Sequence, residues 1–130
     1  MTDGISDLLT RLRNGAQARH ESVKVPYSKI KESILSVLNS NGFIGKFSTS
    51  SEGVKKEIVV SLKYSEEGEP VILGSKRLSR PGCRKYVKGA EIPSATGALG
   101  IYILSTPKGV MTSREATEQK IGGELICEIW

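Results

Sequence analysis

The chain has 130 residues, enough for one or two small folding units with a buried core. Nineteen Lys and Arg against fourteen Asp and Glu give a formal net charge of +5, which favours polyanionic partners such as nucleic acid over cationic ones. The apolar runs are short and the first residues carry no secretory or transit signal, so we expect a cytosolic protein that does not span a membrane.

The first half of the chain, residues 1–64, has the pattern of an α-β-α-β-β module. Apolar residues at helical spacing predict a helix over residues 5–19, although Asn14-Gly15 is a possible stop signal one turn earlier. Ser28 is the predicted N-cap of a second helix, which we expect to end at Asn41-Gly42. The predicted strands cover residues 22–25, 43–49 and 56–64, the last two joined by a hairpin turn at residues 50–53.

The second half, residues 71–130, is predicted to be mostly antiparallel β-sheet with one short helix. The polar, acidic and turn-rich residues 65–70 are the predicted linker between the two modules. Thr112 or Ser113 is expected to cap the helix, and residues 91–97 are a predicted loop. The predicted strands cover residues 71–78, 83–87, 100–105 and 124–130. The whole chain is therefore assigned to the α+β class.

One stretch of the second half, residues 76–88, is rich in Lys and Arg and contains no acidic side chain. Such a stretch suits the phosphates of a polyanion, and Tyr86 within it could stack on a base. The alternative is a solvated basic face with Tyr86 packed along a sheet. The basic residues are Lys76, Arg77, Arg80, Arg84, Lys85 and Lys88.

A second stretch follows a predicted buried strand and reads Ser105-Thr-Pro-Lys-Gly-Val-Met-Thr112. Its hydroxyls, backbone N–H groups and lysine could contact phosphates and ribose 2′-hydroxyls, the group that distinguishes RNA from DNA. The alternative is a strand-to-helix connection whose Thr and Ser side chains cap the helix. Further on, Gly122-Gly123-Glu124 offers a carboxylate that would either accept hydrogen bonds from a base or sugar or pair with a neighbouring arginine.

The residue pattern does not indicate catalysis or a cofactor. His20 is the only histidine, no metal-ligand cluster occurs, and neither a dinucleotide-binding motif nor a P-loop is present. Cys83 and Cys127 have no neighbouring Cys or His, so we expect reduced, buried thiols rather than a zinc site, with a disulfide between them left open. We predict a binding protein and not an enzyme.

Several segments together resemble the bacterial small-subunit ribosomal protein eight family over essentially the whole chain. All of them occur in order and at the spacing of the family. They are Ile5-Ser-Asp-Leu-Leu-Thr-Arg-Leu-Arg-Asn-Gly15, Asn41-Gly-Phe-Ile44, Leu62-Lys-Tyr64, Ser79-Arg-Pro-Gly82, Gly97-Ala-Leu-Gly-Ile101, Ser105-Thr-Pro-Lys-Gly-Val-Met-Thr112 and Gly122-Gly-Glu-Leu-Ile-Cys127.

The resemblance implies a structural constituent of the small ribosomal subunit whose second module carries the main RNA-binding surface. Members of the family bind the central domain of small-subunit rRNA, help to assemble the platform, and in several bacteria repress their own operon mRNA. The small-subunit ribosomal proteins five and twelve are the implied neighbours. The implied RNA-contacting residues are Ser105, Thr106, Lys108 and Gly109, with Tyr86 and Glu124 beside them and Arg84, Arg11 and Arg13 as further candidates for backbone contacts.

One loop position departs from the family. Relatives commonly have Ser at the third position, whereas this chain has Pro107, which offers neither a hydroxyl nor a backbone N–H but stiffens the loop. We hypothesise that the basic surface supplies affinity through phosphates, while the loop, Tyr86 and Glu124 read a distorted, non-Watson–Crick part of an RNA helix. The alternative is a non-specific nucleic-acid-binding protein, which would show a steep salt dependence without preference among RNAs.

Overall fold

The computed structural model describes residues 3–50, 56–93 and 100–130. The chain divides into an N-terminal unit of residues 4–73 and a C-terminal unit of residues 74–130 together with Asp3. Each unit combines helix with an antiparallel sheet, which confirms the predicted α+β class. Two predicted segments lie partly outside the described residues, namely positions 51–53 of the hairpin turn at residues 50–53 and the part of the loop at residues 91–97 beyond Pro93.

The N-terminal unit contains two helices and a three-stranded antiparallel sheet. In chain order its elements are α1 (Gly4–Gln17), β1 (Ser22–Pro26), α2 (Lys29–Ser40), β2 (Ile44–Ser50) and β3 (Glu57–Leu62). The strand order is β1-β3-β2, so β3 has a neighbour on each side. Ser28 caps α2 by accepting a hydrogen bond from the backbone N–H of Lys31 at 3.2 Å, and Gly42, at φ +79°, follows the C-cap residue Asn41. Both predicted ends of α2 are confirmed.

Helix α1 continues past Asn14-Gly15, so the possible stop signal is not used. Gly15 is buried within the helix, where a Cβ would overlap the Cγ1 of Val23 and lie 3.0 Å from the Cδ1 of Leu62. The glycine therefore allows the helix to approach the sheet closely. The buried side chains of this unit include Leu8, Leu12, Val25, Ile34, Leu35, Leu38, Ile58 and Val60.

Residues 65–70, the predicted linker, form a hydrogen-bonded turn. The backbone N–H of Ser65 donates to the carbonyl of Glu69 at 2.8 Å, and that of Val71 donates to the carbonyl of Lys63 at 3.1 Å. The boundary between the two compact units falls after Leu73. The division into modules of residues 1–64 and 71–130 joined by a linker at residues 65–70 stays a prediction.

The C-terminal unit is built around one antiparallel sheet. In chain order its elements are β4 (Ser75–Arg77), β5 (Tyr86–Val87), a 3₁₀ turn (Gly89–Glu91), β6 (Ile101–Thr106), β7 (Gly109–Thr112), α3 (Ser113–Gln119) and β8 (Gly123–Ile129). The strand order is β4-β8-β6-β7, and β5 also pairs with β8. Strand β8 therefore connects three other strands of the unit, because it pairs with β4, β5 and β6.

Helix α3 begins where the sequence predicts. Thr112 is its N-cap and accepts a hydrogen bond from the backbone N–H of Glu115 at 3.2 Å, while Ser113 is the first helical residue. The helix packs against β6 and β7. Ala116 of this helix forms a cluster of buried side chains with Leu104, Met111 and Leu125 of the sheet, which is the core of this unit.

The two cysteines are free thiols in different environments. Cys127 is buried, as predicted, and burial raises the pKa of its thiol to about 12 although the charge of Arg77 opposes the shift. The expectation of a buried thiol is wrong for Cys83, which is exposed because it closes a Pro-Gly turn by exchanging backbone hydrogen bonds with Arg80. In the described part of the chain, no helix is both long and apolar enough to span a membrane.

Candidate nucleic-acid interface

Three of the predicted RNA-contacting residues lie side by side across the C-terminal sheet. Glu124 on β8 pairs with Tyr86 on β5 and with Ser105 on β6. Directly opposite residues of antiparallel strands point to the same face, so these side chains form one row. The adjacent residues Leu104 and Leu125 point to the other face and belong to the core against α3. The sheet thus separates the row from the apolar core of this unit.

Tyr86 is exposed to an extent that is unusual for an aromatic side chain in a sheet. Its relative exposure is 70%. The alternative in which Tyr86 packs along the sheet is therefore wrong. An exposed aromatic ring offers an apolar face and a polar hydroxyl to a partner, and both suit a nucleotide.

Residues 105–112 form a β-hairpin of β6 and β7 that leads into α3, so the predicted turn and helix cap are present and strand β7 is the part that was not predicted. Thr106 pairs with Gly109, which leaves Pro107 and Lys108 as the two residues of the turn. Proline suits the first of these positions because its φ is already fixed near the value that such a turn uses. Gly109 has φ +115°, a conformation that side-chain-bearing residues rarely adopt.

The hydroxyl of Thr106 is engaged inside this turn. It donates to the carbonyl of Gly109 at 2.7 Å and accepts a hydrogen bond from the backbone N–H of Lys108 at 3.1 Å. These bonds fix the turn from within, and the Lys108 side chain is exposed at its tip. In the free protein, Thr106 and Gly109 thus shape the turn that presents Lys108.

Glu124 is paired with an arginine, which was one of the two alternatives for its carboxylate. Its Oε2 accepts hydrogen bonds from the hydroxyl of Ser79 at 2.5 Å and from Nη1 of Arg84 at 2.9 Å. Burial alone would raise the pKa of Glu124, but the bonds from Ser79 and Arg84 and the charges of Arg84 and Arg77 outweigh it and hold the pKa below its ordinary value. The carboxylate is therefore ionised at neutral pH.

Two adjacent glycines allow the strands of the row to come close together. A Cβ on Gly123 would overlap the carbonyl oxygen of Ser105 and lie 3.0 Å from the Cα of Thr106. A Cβ on Gly122 would overlap the carbonyl oxygen of Val87. The dipeptide therefore permits close backbone approach on both sides of β8.

Arg11 and Arg13, the other predicted contacts, lie on α1 in the N-terminal unit and not in the unit that carries the row. The Nε of Arg11 bonds Oδ2 of Asp7 at 2.9 Å, and its Nη1 donates to the carbonyl of Lys24 at 3.0 Å. Arg13 is exposed. A role for either arginine in RNA binding stays a prediction.

The sequence reasoning missed Ser79, although this residue directly precedes the Arg80-Pro-Gly82 turn. Ser79 is completely buried, and besides bonding Glu124 its hydroxyl accepts the backbone N–H of Lys85 at 3.0 Å. A serine beside a turn is ordinary in sequence, so only the three-dimensional partners reveal this role. Within the described residues, no group of three His, Cys, Asp or Glu side chains could hold a metal ion.

A basic chain with an exposed aromatic ring, a cationic turn and hydroxyls on one sheet has features that are typical of proteins that bind polyanions. The family model for Ribosomal protein S8 matches residues 3–130. The chain therefore belongs to the ribosomal protein S8 family and has a structural role in the ribosome, as the resemblance in its sequence indicates.

Its relatives are similar over their full length. The chain is 51% identical over 129 residues to small ribosomal subunit protein uS8 of Anaeromyxobacter sp., covering 99% of this chain and 98% of the relative. It is 49% identical over 129 residues to the protein of that name from Solibacter usitatus, with the same coverage. The protein of that name from Roseiflexus castenholzii is 47% identical over 130 residues, which cover 100% of this chain and 98% of the relative.

Proposed function

We propose that this protein binds the central domain of small-subunit rRNA through its C-terminal unit and helps to assemble the platform of the small subunit in the cytoplasm. The observation that carries the proposal is the row of Tyr86, Glu124 and Ser105, which lies on the face opposite the core of that unit. A cationic turn residue, Lys108, follows one end of the row along the chain. Such a surface matches what a folded RNA offers, namely phosphates, ribose hydroxyls and exposed bases.

In the proposed mechanism the cations and the row have different tasks. Arg84 and Lys108 supply affinity by neutralising phosphates and releasing counterions. Tyr86 stacks on an unpaired base, and Ser105 and Glu124 offer an acceptor or donor to base edges and ribose. Because the major groove of a regular A-form helix is too narrow for side chains, the bound site is an irregular part of the RNA.

Two finer assignments rest on the family resemblance. The protein represses translation of its own operon by binding an mRNA segment that folds like the rRNA site. In the subunit its neighbours are the small-subunit ribosomal proteins five and twelve. Both follow from family membership and are proposals for this chain.

Alanine at Lys108 or at Tyr86 is expected to weaken binding to a central-domain fragment of small-subunit rRNA by about tenfold each. Lys108→Ala removes a phosphate contact and should lower the slope of log affinity against log salt by about 1. Tyr86→Phe, which keeps the stacking ring, should retain most of the affinity. Electrophoretic mobility shifts at several fixed salt concentrations measure all of these values.

The matched control is Arg114→Ala, because Arg114 is an exposed cation of the same unit and lies outside the proposed surface. Its affinity should equal that of the wild type. Wild-type affinity in both Lys108→Ala and Tyr86→Ala would contradict the site assignment. Equal binding of the wild type to unrelated duplex RNA and DNA would instead indicate a non-specific nucleic-acid-binding protein.

A further inference from the structure

The hydroxyl of Ser79 joins three separate segments of the C-terminal unit. It donates its proton to Oε2 of Glu124 on β8 at 2.5 Å. It also accepts the backbone N–H of Lys85, which lies on the far side of the Pro-Gly turn, at 3.0 Å. A hydroxyl has a single proton, and the carboxylate of Glu124 can only accept, so this proton lies in the bond to Glu124. The oxygen of Ser79 is therefore the acceptor in the bond from the N–H of Lys85.

The same carboxylate oxygen holds Arg84. The Nη1 of Arg84 bonds Oε2 of Glu124 at 2.9 Å, so Ser79 and Arg84 share one acceptor atom. The next residue, Lys85, is fixed at both of its backbone polar groups, since its N–H bonds Ser79 and its carbonyl accepts the N–H of Leu125 at 2.9 Å. The guanidinium of Arg84 is therefore held by Glu124, and the backbone of the residue that follows it is held at Lys85.

Arg84 keeps the capacity to bind a second anion while it is held in this way. Its side chain is 48% exposed, whereas that of Glu124 is 20% exposed. A guanidinium carries five N–H donors in a planar fork, and the bond to Glu124 uses one of them. A cation that is already oriented loses less side-chain entropy when it meets a phosphate.

We propose that Ser79 is a positioning residue of the RNA-binding surface, which orients Arg84 toward a backbone phosphate through Glu124 and the backbone of Lys85. The inference rests on the proposed function. Ser79 has 0% relative exposure and so cannot touch the RNA itself. Any effect of its hydroxyl on affinity must pass through the groups that it holds.

The test is a double-mutant cycle on RNA affinity with Ser79→Ala and Arg84→Ala. Each single variant is expected to bind a central-domain rRNA fragment about tenfold more weakly, because Arg84→Ala removes the cation and Ser79→Ala removes a bond that orients it. The double variant should bind no more than about twofold more weakly than Arg84→Ala, because the same contact is already lost. Ser79→Ala should also lower the salt slope by about 1, a change that a general loss of stability would not produce.

The control is Ser113→Ala, a buried serine of the same unit at the first position of α3. Its RNA affinity should be that of the wild type, and thermal unfolding of all variants shows that binding is measured on folded protein. Should Ser79→Ala fail to fold, Ser79→Cys is the second variant, because its slightly larger thiol is a much weaker hydrogen-bonding group, and it should show the same reduced affinity and slope.

The results of these binding measurements distinguish a failure of this inference from a failure of the proposed function on which it rests. A folded wild-type protein that does not bind the rRNA fragment contradicts the proposed function. If the wild type binds and a folded Ser79 variant has wild-type affinity, the positioning role is wrong while the function stands. Full additivity in the double variant also overturns the inference, since Ser79 would then act independently of Arg84.

Discussion

Replacement of Gly123 by alanine is expected to lower the free energy of unfolding by about 3 kcal/mol or more, since it overpacks a site bounded by backbone. The new Cβ would overlap the carbonyl oxygen of Ser105 and lie 2.9 Å from its carbonyl carbon and 3.0 Å from the Cα of Thr106. These are main-chain atoms, which cannot rotate away as a flexible side chain can. The variant can accommodate the methyl group only by separating β8 from β6. Urea denaturation measures the loss of stability.

The matched control for this variant is Gly82→Ala. Gly82 lies in an exposed turn of the same unit, and a Cβ there meets nothing within 4 Å. Its free energy of unfolding should change by no more than about 0.5 kcal/mol. Equal stabilities for the two alanine variants would show that Gly123 is not needed for the close approach. Any folded Gly123→Ala protein should also bind rRNA more weakly, because Ser105 and Glu124 would no longer be adjacent.

The change of Asp3 to asparagine is expected to cost about 2–3 kcal/mol of stability, because it removes the carboxylate that pairs directly with a buried guanidinium. Arg77 bonds Asp3 at 3.1 Å from Nε to Oδ2, and the two side chains are only 6% and 19% exposed. The Nη1 of Arg77 also donates to the carbonyl of Ile126 at 2.7 Å, so the guanidinium is held in place. Asparagine keeps the size of the side chain but removes the charge and replaces one acceptor oxygen with an NH2 donor.

An exposed ion pair of the same unit serves as the reference for Asp3→Asn. Glu118 lies 3.6 Å from Arg114 on α3, and these side chains are 67% and 89% exposed. Glu118→Gln should change the free energy of unfolding by less than about 0.5 kcal/mol, because solvent screens the pair. A loss for Asp3→Asn as small as that for Glu118→Gln would refute a stabilising role of the buried pair. Chemical denaturation of both variants at one pH and ionic strength gives the comparison.

The sequence predicted the helix ends best where the signals are local. Ser28 and Thr112 act as N-caps because a side-chain oxygen reaches a backbone N–H only three residues away. Gly42 adopts a positive φ next to Asn41 for an equally local reason. Such contacts depend on a few consecutive residues, so reading the chain in order is sufficient to find them.

The strand boundaries were predicted less well because pairing depends on distant residues. Strand β7 was missed because Gly109 and its three successors are too few to show an alternating pattern, and only pairing with β6 makes them a strand. The predicted strand over residues 71–78 is reduced to Ser75–Arg77. The other residues of that segment are placed by contacts with distant parts of the chain, which a local sequence pattern does not reveal. One example is Gly74, which lies against the indole of Trp130.

The candidate site also combines features that the sequence predicted with features that depend on contacts between distant residues. The residues proposed to contact RNA come from the family resemblance, and the pairing of Glu124 with an arginine was one of the alternatives that the residues themselves suggested. The row formed by Tyr86, Glu124 and Ser105 could not be predicted, because it requires the register of three strands and a β-bulge between β6 and β8. The part played by Ser79 requires the positions of three segments at once.

Crosslinking of the protein to RNA in living cells, followed by sequencing of the bound fragments and mass spectrometry of the crosslinked peptides, tests RNA recognition by the C-terminal sheet most directly. We expect the RNA fragments to be concentrated in the central domain of small-subunit rRNA. The crosslinked peptides should include Tyr86 and residues 105–109. Fragments distributed in proportion to cellular RNA abundance, or peptides confined to the N-terminal unit, would contradict the proposal.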